Sequence, residues 1–286
     1  MFLKTFTKIF VIIVFFVKIY QPIFNMKIVK NFFSLIVVCF FWLFSISAKS
    51  EESRTLTVFA ESNLSVVLTE LLRLYSQEYN VITSINFNSP TDIIGDIDMG
   101  DPADVVITAH QDSIDNLKHK GLIDVYNIGN IAKDSLNLVT SVKNSQIPSS
   151  LLAESLAMDQ ALGFLNENRA ILILDNYAST SGSYSGNYLR SLNLDKFKVF
   201  TRLAEDRAPI VNAVLSDENH YAILLSSQIN NRKDLKILAS IELDIIYKFL
   251  VVASDNMNTA REFLKFIETN DKAKQIIAKS GLRLAF

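Results

Sequence analysis

At 286 residues the chain exceeds one average domain and suits two lobes. The formal net charge of −2 conceals an asymmetry: residues 1–50 hold six lysines and no acid, so the rest of the chain carries 22 basic against 30 acidic side chains, a net of −8. So acidic a body argues against nucleic acid as a partner, while an apolar content of 49% is enough for real cores.

The N-terminus reads as a targeting segment. Met26-Lys27-Ile28-Val29-Lys30 forms a basic n-region, Phe32 to Phe44 an apolar h-region, and Ser45, Ser47 and Ala48 supply small residues near a cleavage site. The apolar run is short for a membrane span. A second apolar run, Ile9 to Val17, lies ahead of Met26, which is the expected true start. Residues 1–50 are therefore assigned to a cleavable signal that sends the protein to the periplasm. An uncleaved anchor to the inner membrane is the rival. Cys39, the only cysteine, falls inside the h-region, so the mature chain is expected to hold neither a disulfide nor a reactive thiol.

The folded part opens with a strand around Leu56 and Val58 and a polar turn at Ala60–Asn63. Leu64, Val67, Leu68, Leu71, Leu72 and Tyr75 then recur at helical spacing. A strand running straight into a helix N-terminus presents unpaired N–H groups and partial positive charge, which suits an anion. Val81–Phe87 is a second strand. Ser89, Pro90 and Asp92 then read as N-cap, first helical residue and capping-box acid of a short helix that ends at Gly100. Val105–Thr108 is a third strand, followed by a helix from Gln111 to Lys120 that stops at Gly121. Such alternation signals a parallel α/β sheet.

Beyond this point the pattern predicts a strand at 138–140, a helix over 150–162, a strand at 170–174, a turn at 176–182 and a helix over 183–192. A strand at 197–202, a helix from about Asp206 over Ile210–Leu215 and a strand at 221–225 follow. Two strand-like runs, 235–241 and 245–253, precede closing helices at 259–268 and 272–280. A first crossing between lobes is placed near residues 133–138. Lobe 1 is assigned to residues 51–135 and 254–286, and lobe 2 to residues 136–253.

Four stretches resemble the periplasmic molybdate-binding proteins of ABC transporters, a branch of the type II periplasmic binding proteins. Thr57-Val58-Phe59-Ala60…Leu64 is similar to that family's opening TVFAAASL, and Ile97…Gly100-Asp101-Pro102-Ala103-Asp104-Val105…Thr108-Ala109 to its QIEAGAPADVFISA segment. Ala204-Glu205-Asp206 matches its AED. Ala260…Phe263-Leu264-Lys265-Phe266-Ile267…Ala273…Ile276…Gly281-Leu282 matches its closing pattern. The resemblance implies two α/β lobes, each a mixed sheet flanked by helices, joined by two crossovers and closing on a ligand. It also implies a tetrahedral oxyanion held by serine hydroxyls and backbone N–H groups. The family's ligand positions fall on Asn63 with Ser62 beside it, on Pro90 between Ser89 and Thr91, on Ser181, on Arg207, and on Leu225 where the family has a tyrosine. Proline offers no N–H and leucine no donor, whereas Arg207 adds a charge suited to bidentate pairing with a larger oxyanion or a carboxylate. The candidate ligand-binding residues are therefore Ser62, Asn63, Ser89, Ser181 and Arg207. Four of them also have a plain structural role: helix caps for Asn63 and Ser89, loop polarity for Ser181, and pairing with Glu205 or Asp206 for Arg207.

Other chemistry finds no footing. His110, His119 and His220 lack metal-ligand spacing, and Asp96, Asp98, Asp101 and Asp104 do not form a calcium loop. There is no nucleophile elbow and no phosphate loop. A hydrolase built on Ser181 with Glu205 or Asp206 lacks a base placed beside the serine. The expectation is a non-enzymatic, monomeric solute-binding protein without cofactor or metal. It takes a small anion (molybdate, tungstate, another oxyanion or a carboxylate) and delivers it to an ABC permease. The alternative is a divergent sensor or scaffold module that no longer binds oxyanion.

Overall fold

The computed structural model describes residues 54–147, 157–192 and 210–286, and the backbone of residues 200–203. The targeting segment, Ala204-Glu205-Asp206 and Arg207 lie outside the described residues.

Strand β1 (Thr55–Glu61) leads through a 3-10 turn at Ser62–Leu64 into helix α1 (Ser65–Tyr79). Then come β2 (Ile82–Asn88), α2 (Pro90–Asp98), β3 (Val105–Thr108) and α3 (Gln111–His119). The predicted cap is present: Ser89 Oγ accepts the Asp92 N–H at 3.2 Å, with Pro90 opening α2. Strand β4 (Ile123–Ser141) precedes α4 (Met158–Glu167), β5 (Ile171–Leu174) and α5 (Thr180–Ser191). Strand β6 (Phe200–Leu203), α6 (Ile210–Leu215), β7 (His220–Leu225) and α7 (Ser226–Ile229) follow. The chain closes with β8 (Leu235–Val252), α8 (Met257–Thr269), α9 (Asp271–Lys279) and a short β9 (Arg283–Leu284).

The strands form one mixed sheet in the order β2-β1-β3-β8-β4-β7-β5-β6, with β9 on β4. Alternation along the buried strands sorts side chains onto its two faces. Leu56, Val58, Val105 and Ile107 share one core with Leu68, Leu71, Tyr75, Phe263 and Phe266, and that core continues under Leu136, Leu172 and Ile223. Phe59 and Val106 point the other way, onto Ile93, Ile94, Ile114 and Leu117 of α2 and α3. On that same pattern Val139, Ile173, Ala222 and Leu224 meet Ile210, Val211 and Val214 of α6. Helix α8 is locked to α1 by aromatic contacts, with the Tyr75 ring 4.9 Å from Phe263 and 5.3 Å from Phe266.

Several elements differ from the expectation. Helix α4 runs to Glu167, five residues beyond the helix expected over 150–162, of which residues 150–156 lie outside the described residues. The runs at 235–241 and 245–253 are one strand, β8, and the strand expected at 138–140 begins at Ile123. Both are long because they serve both halves of the sheet. Their ladder shifts register between Ile123 and Ile128, Asn130 and Ala132, Asp134 and Leu136, and Leu138 and Val139. Each irregularity interrupts the period-2 pattern on which strand reading depends. Asp124, Asn127, Gly129 and Asn130 weaken that signal further. Helix α5 also starts three residues earlier than expected, because Ser179 caps it by accepting the Gly182 N–H at 3.0 Å.

Candidate functional site

The topology fixes where a ligand can sit. Strands β1, β2 and β3 are parallel, and β3 ends at Thr108 opposite Lys248 of antiparallel β8. Strands β5, β6 and β7 are also parallel, and β7 ends at Leu225 opposite Leu136 of antiparallel β4. On the β4–β8 ladder Lys248 faces Asn130 and Leu136 faces Ile241. The two parallel sets therefore run toward each other, and their carboxyl ends meet over the middle of the ladder, at the Asp134–Ile245 pair. The crevice beyond the carboxyl ends of parallel strands is the usual ligand position in α/β sheets.

Glu61, the last residue of β1, lies at this meeting point and is 3% exposed. Three donors converge on its Oε1: the Thr108 hydroxyl at 2.6 Å, the Ala109 N–H at 2.7 Å and the Thr180 hydroxyl at 2.7 Å. The first two sit where β3 turns into α3, and the third opens α5 on the opposite side. A hydrogen bond to a charged group contributes roughly 1.5–3 kcal/mol, yet burying a carboxylate costs several kcal/mol. Here burial prevails: desolvation pushes the Glu61 carboxyl above its ordinary range despite the three donors, and Asp134 adds repulsion.

Asp134 is the second buried carboxylate, at 1% exposure. It accepts the Ser135 N–H at 2.8 Å, the Tyr247 hydroxyl at 3.3 Å and the Ser227 N–H at 3.4 Å. Desolvation raises its affinity for a proton as well. Asn63 ties this cluster to the β1 turn: its Nδ2 donates to Ser227 Oγ at 2.8 Å and to the Tyr247 hydroxyl. Burial, with Asp134 and Glu61 nearby, pushes the Tyr247 hydroxyl well above the usual phenol range, so it stays a neutral donor. Among the described residues neither Glu61 nor Asp134 forms an ion pair.

Further contacts cross between the two sets of strand ends. Ser113 N–H donates to His110 Nδ1 at 3.3 Å, which leaves Nε2 as the donor to the Tyr177 carbonyl at 3.3 Å. The Tyr184 hydroxyl lies 3.5 Å from the Ala109 carbonyl and 3.4 Å from that of Asp244. Ser181 Oγ is buried with no partner among the described residues, in a side chain 1% exposed. A hydroxyl left unpaired in the interior costs stability, and this one sits one residue beyond Thr180 in the first turn of α5.

The structure brings Asn63 and Ser181 to the meeting point. Asn63 lies two residues after Glu61, and Ser181 follows the threonine that Glu61 touches. Ser62 opens the 3-10 turn and is exposed. Ser89 sits past the end of β2, adjoining the end of β1 through the Glu61–Asn88 pair, and its hydroxyl caps α2. Leu225 is buried at the end of β7. Glu61 as an acceptor, Thr108, Ala109, Thr180 and Asp134 were not among the predicted site residues. Thr108 and Ala109 do close the matched Gly100–Ala109 segment, and an acid ending an apolar strand is a sign of a satisfied buried carboxylate. Among the described residues no three His, Cys, Asp or Glu side chains stand close enough to hold a metal ion.

The family model of the bacterial extracellular solute-binding proteins matches residues 56–283. The chain belongs to that family. This solute-binding protein resembles, in solved structures, the substrate-binding domain assigned to a molybdenum ABC transporter from Clostridium difficile. The TM-score is 0.65 at 21% identity, over 82% of this chain and 100% of the other. A tungstate ABC transporter protein from Geobacter sulfurreducens follows, with TM-score 0.63 at 17% identity over 78% and 97%. The periplasmic molybdate-binding protein of Azotobacter vinelandii has TM-score 0.58 at 16% identity over 81% and 100%. At such identities the likeness concerns the fold, and it bears out the type II periplasmic binding protein architecture and the resemblance to molybdate-binding proteins. No curated protein matches the sequence. The proteins it resembles are transport binding proteins rather than enzymes. Among the described residues no helix is long and apolar enough to cross a membrane.

Proposed function

We propose that this solute-binding protein captures a small anion where the two sets of strand ends meet and delivers it to an ABC permease. One observation carries the reading: neutral donors from both sides converge on a single carboxyl oxygen, that of Glu61. A site that holds a carboxylate with hydroxyls and a backbone N–H is built to hold an oxyanion in the same way. Ser181, Asn63 and Arg207 complete the proposed contacts, with Ser62 and Ser89 at the rim. The lobes divide at the bulged middle of the β4–β8 ladder, and solute favours the closed arrangement only by its differential affinity for it. Residues 1–50 direct export to the periplasm, and the protein acts as a monomer.

Thermal unfolding of the purified protein with millimolar molybdate, tungstate, sulfate, phosphate or small carboxylates tests this. At least one raises the melting temperature, since a ligand that binds only the native state stabilises it. Ser181→Ala reduces that shift while raising ligand-free stability by about 1 kcal/mol, because it removes a buried hydroxyl that has no partner among the described residues. If no anion moves the transition, the transport reading is lost. A sensor or scaffold module is the second reading, favoured because Glu61 already fills the donors.

A further inference from the structure

We propose that the Glu61 carboxylate is a tethered competitor of the solute: it occupies the donors of Thr108, Ala109 and Thr180, and a free oxyanion gains them only by displacing it. The inference rests on the anion-binding reading above and names the residue that sets which anions this site accepts.

The geometry is that of a bound ligand. The donors come from two separate parts of the chain, 47 and 48 residues from Glu61 for Thr108 and Ala109 and 119 for Thr180. All three meet one oxygen at 2.6–2.7 Å, the short range of charge-assisted bonds. Compensation by neutral donors, with no described lysine or arginine paired to Glu61, is how an oxyanion is held where no counter-charge is supplied. Next to Thr180, the Ser181 hydroxyl is buried without a partner among the described residues, a further donor that Glu61 does not engage. The carboxylate also links β1 to α5, so it draws the two sets of strand ends together as a solute would.

Two consequences follow for selection. A dianion placed beside ionised Glu61 meets strong repulsion, because charges interact far more strongly in a desolvated crevice than in water. A solute must also take over hydrogen bonds that are already made, so it gains less than it would from free donors. Removing the side chain lifts both penalties. Replacing the carboxylate with the isosteric amide lifts only the repulsion.

Titration calorimetry of molybdate, tungstate, sulfate and phosphate into the purified wild-type protein, Glu61→Gln and Glu61→Ala tests the proposal. Glu61→Ala is expected to bind at least one oxyanion about tenfold tighter than wild type or better, with Glu61→Gln between them. If wild type binds an anion and neither variant binds it more tightly, the competitor role is overturned while the anion-binding reading stands. If none of the three proteins binds any of these anions, the anion-binding reading itself is overturned. Should the alanine variant fail to fold, the amide variant carries the test: a gain over wild type supports the proposal and its absence overturns it.

Discussion

Glu61 and Asp134 are two buried acids within electrostatic reach of each other, and their linkage to folding has a definite sign. Both carboxyls are pushed above their ordinary values, Glu61 from 4.5 and Asp134 from 3.8, with burial the first cause in each. The folded state therefore holds these protons more tightly than the unfolded chain. The stability they contribute is complete below the ordinary values and is lost as pH rises through the raised ones. The groups facing Glu61 are Asp134, Tyr184 and Tyr247, and neither tyrosine gives up its proton in this range. Glu61→Gln removes one of the two titrations. Its melting temperature relative to wild type should rise as pH increases above the ordinary carboxyl value of 4.5. Thermal melts in matched buffers check this, and a constant difference would show that Glu61 does not titrate in that window. Position 61 falls in the polar turn Ala60–Asn63 that the sequence places before a helix N-terminus. The partners of Glu61 were not legible there, since a hydroxyl 119 residues away leaves no local trace.

Helix α5 shows how a turn is shaped to present donors. The run Ser179-Thr180-Ser181-Gly182-Ser183 reads in sequence as a donor-rich loop. In the fold Ser179 caps the helix, Thr180 reaches Glu61 and Ser181 is buried. Gly182 makes this possible, because a Cβ there would stand 2.1 Å from the Asn176 carbonyl oxygen. That neighbour is backbone, so the turn itself must move. Gly182→Ala is expected to destabilise the protein by about 1–3 kcal/mol in urea titration and to weaken anion binding, since Thr180 and Ser181 ride on the displaced turn. Unchanged binding by the folded variant would separate this turn from the site. Helices α1, α2 and α3 were readable because their apolar spacing and caps are local, as the Ser89–Asp92 bond shows. The long strands β4 and β8 were not, because each passes from one half of the sheet to the other through register shifts that interrupt the period-2 pattern.

At the scale of the whole molecule the β4–β8 ladder connects both halves, and the Glu61–Thr180 bond joins the ends that the ladder brings face to face. If that bond draws the halves together, Glu61→Ala without solute should be more expanded than wild type in small-angle scattering, and a bound oxyanion should restore compactness. Identical radii would mean that other contacts, such as His110 to the Tyr177 carbonyl, are enough for closure. By itself the sequence determined the α/β alternation, the order of the elements, the caps and the family resemblance, because periodicity, capping and turn chemistry act over a few residues. It also placed serines and an asparagine at strand ends. Only the tertiary structure decided which ends meet and which donor finds which acceptor. Those choices depend on strand order and ladder register, which bring residues more than a hundred positions apart within hydrogen-bond distance.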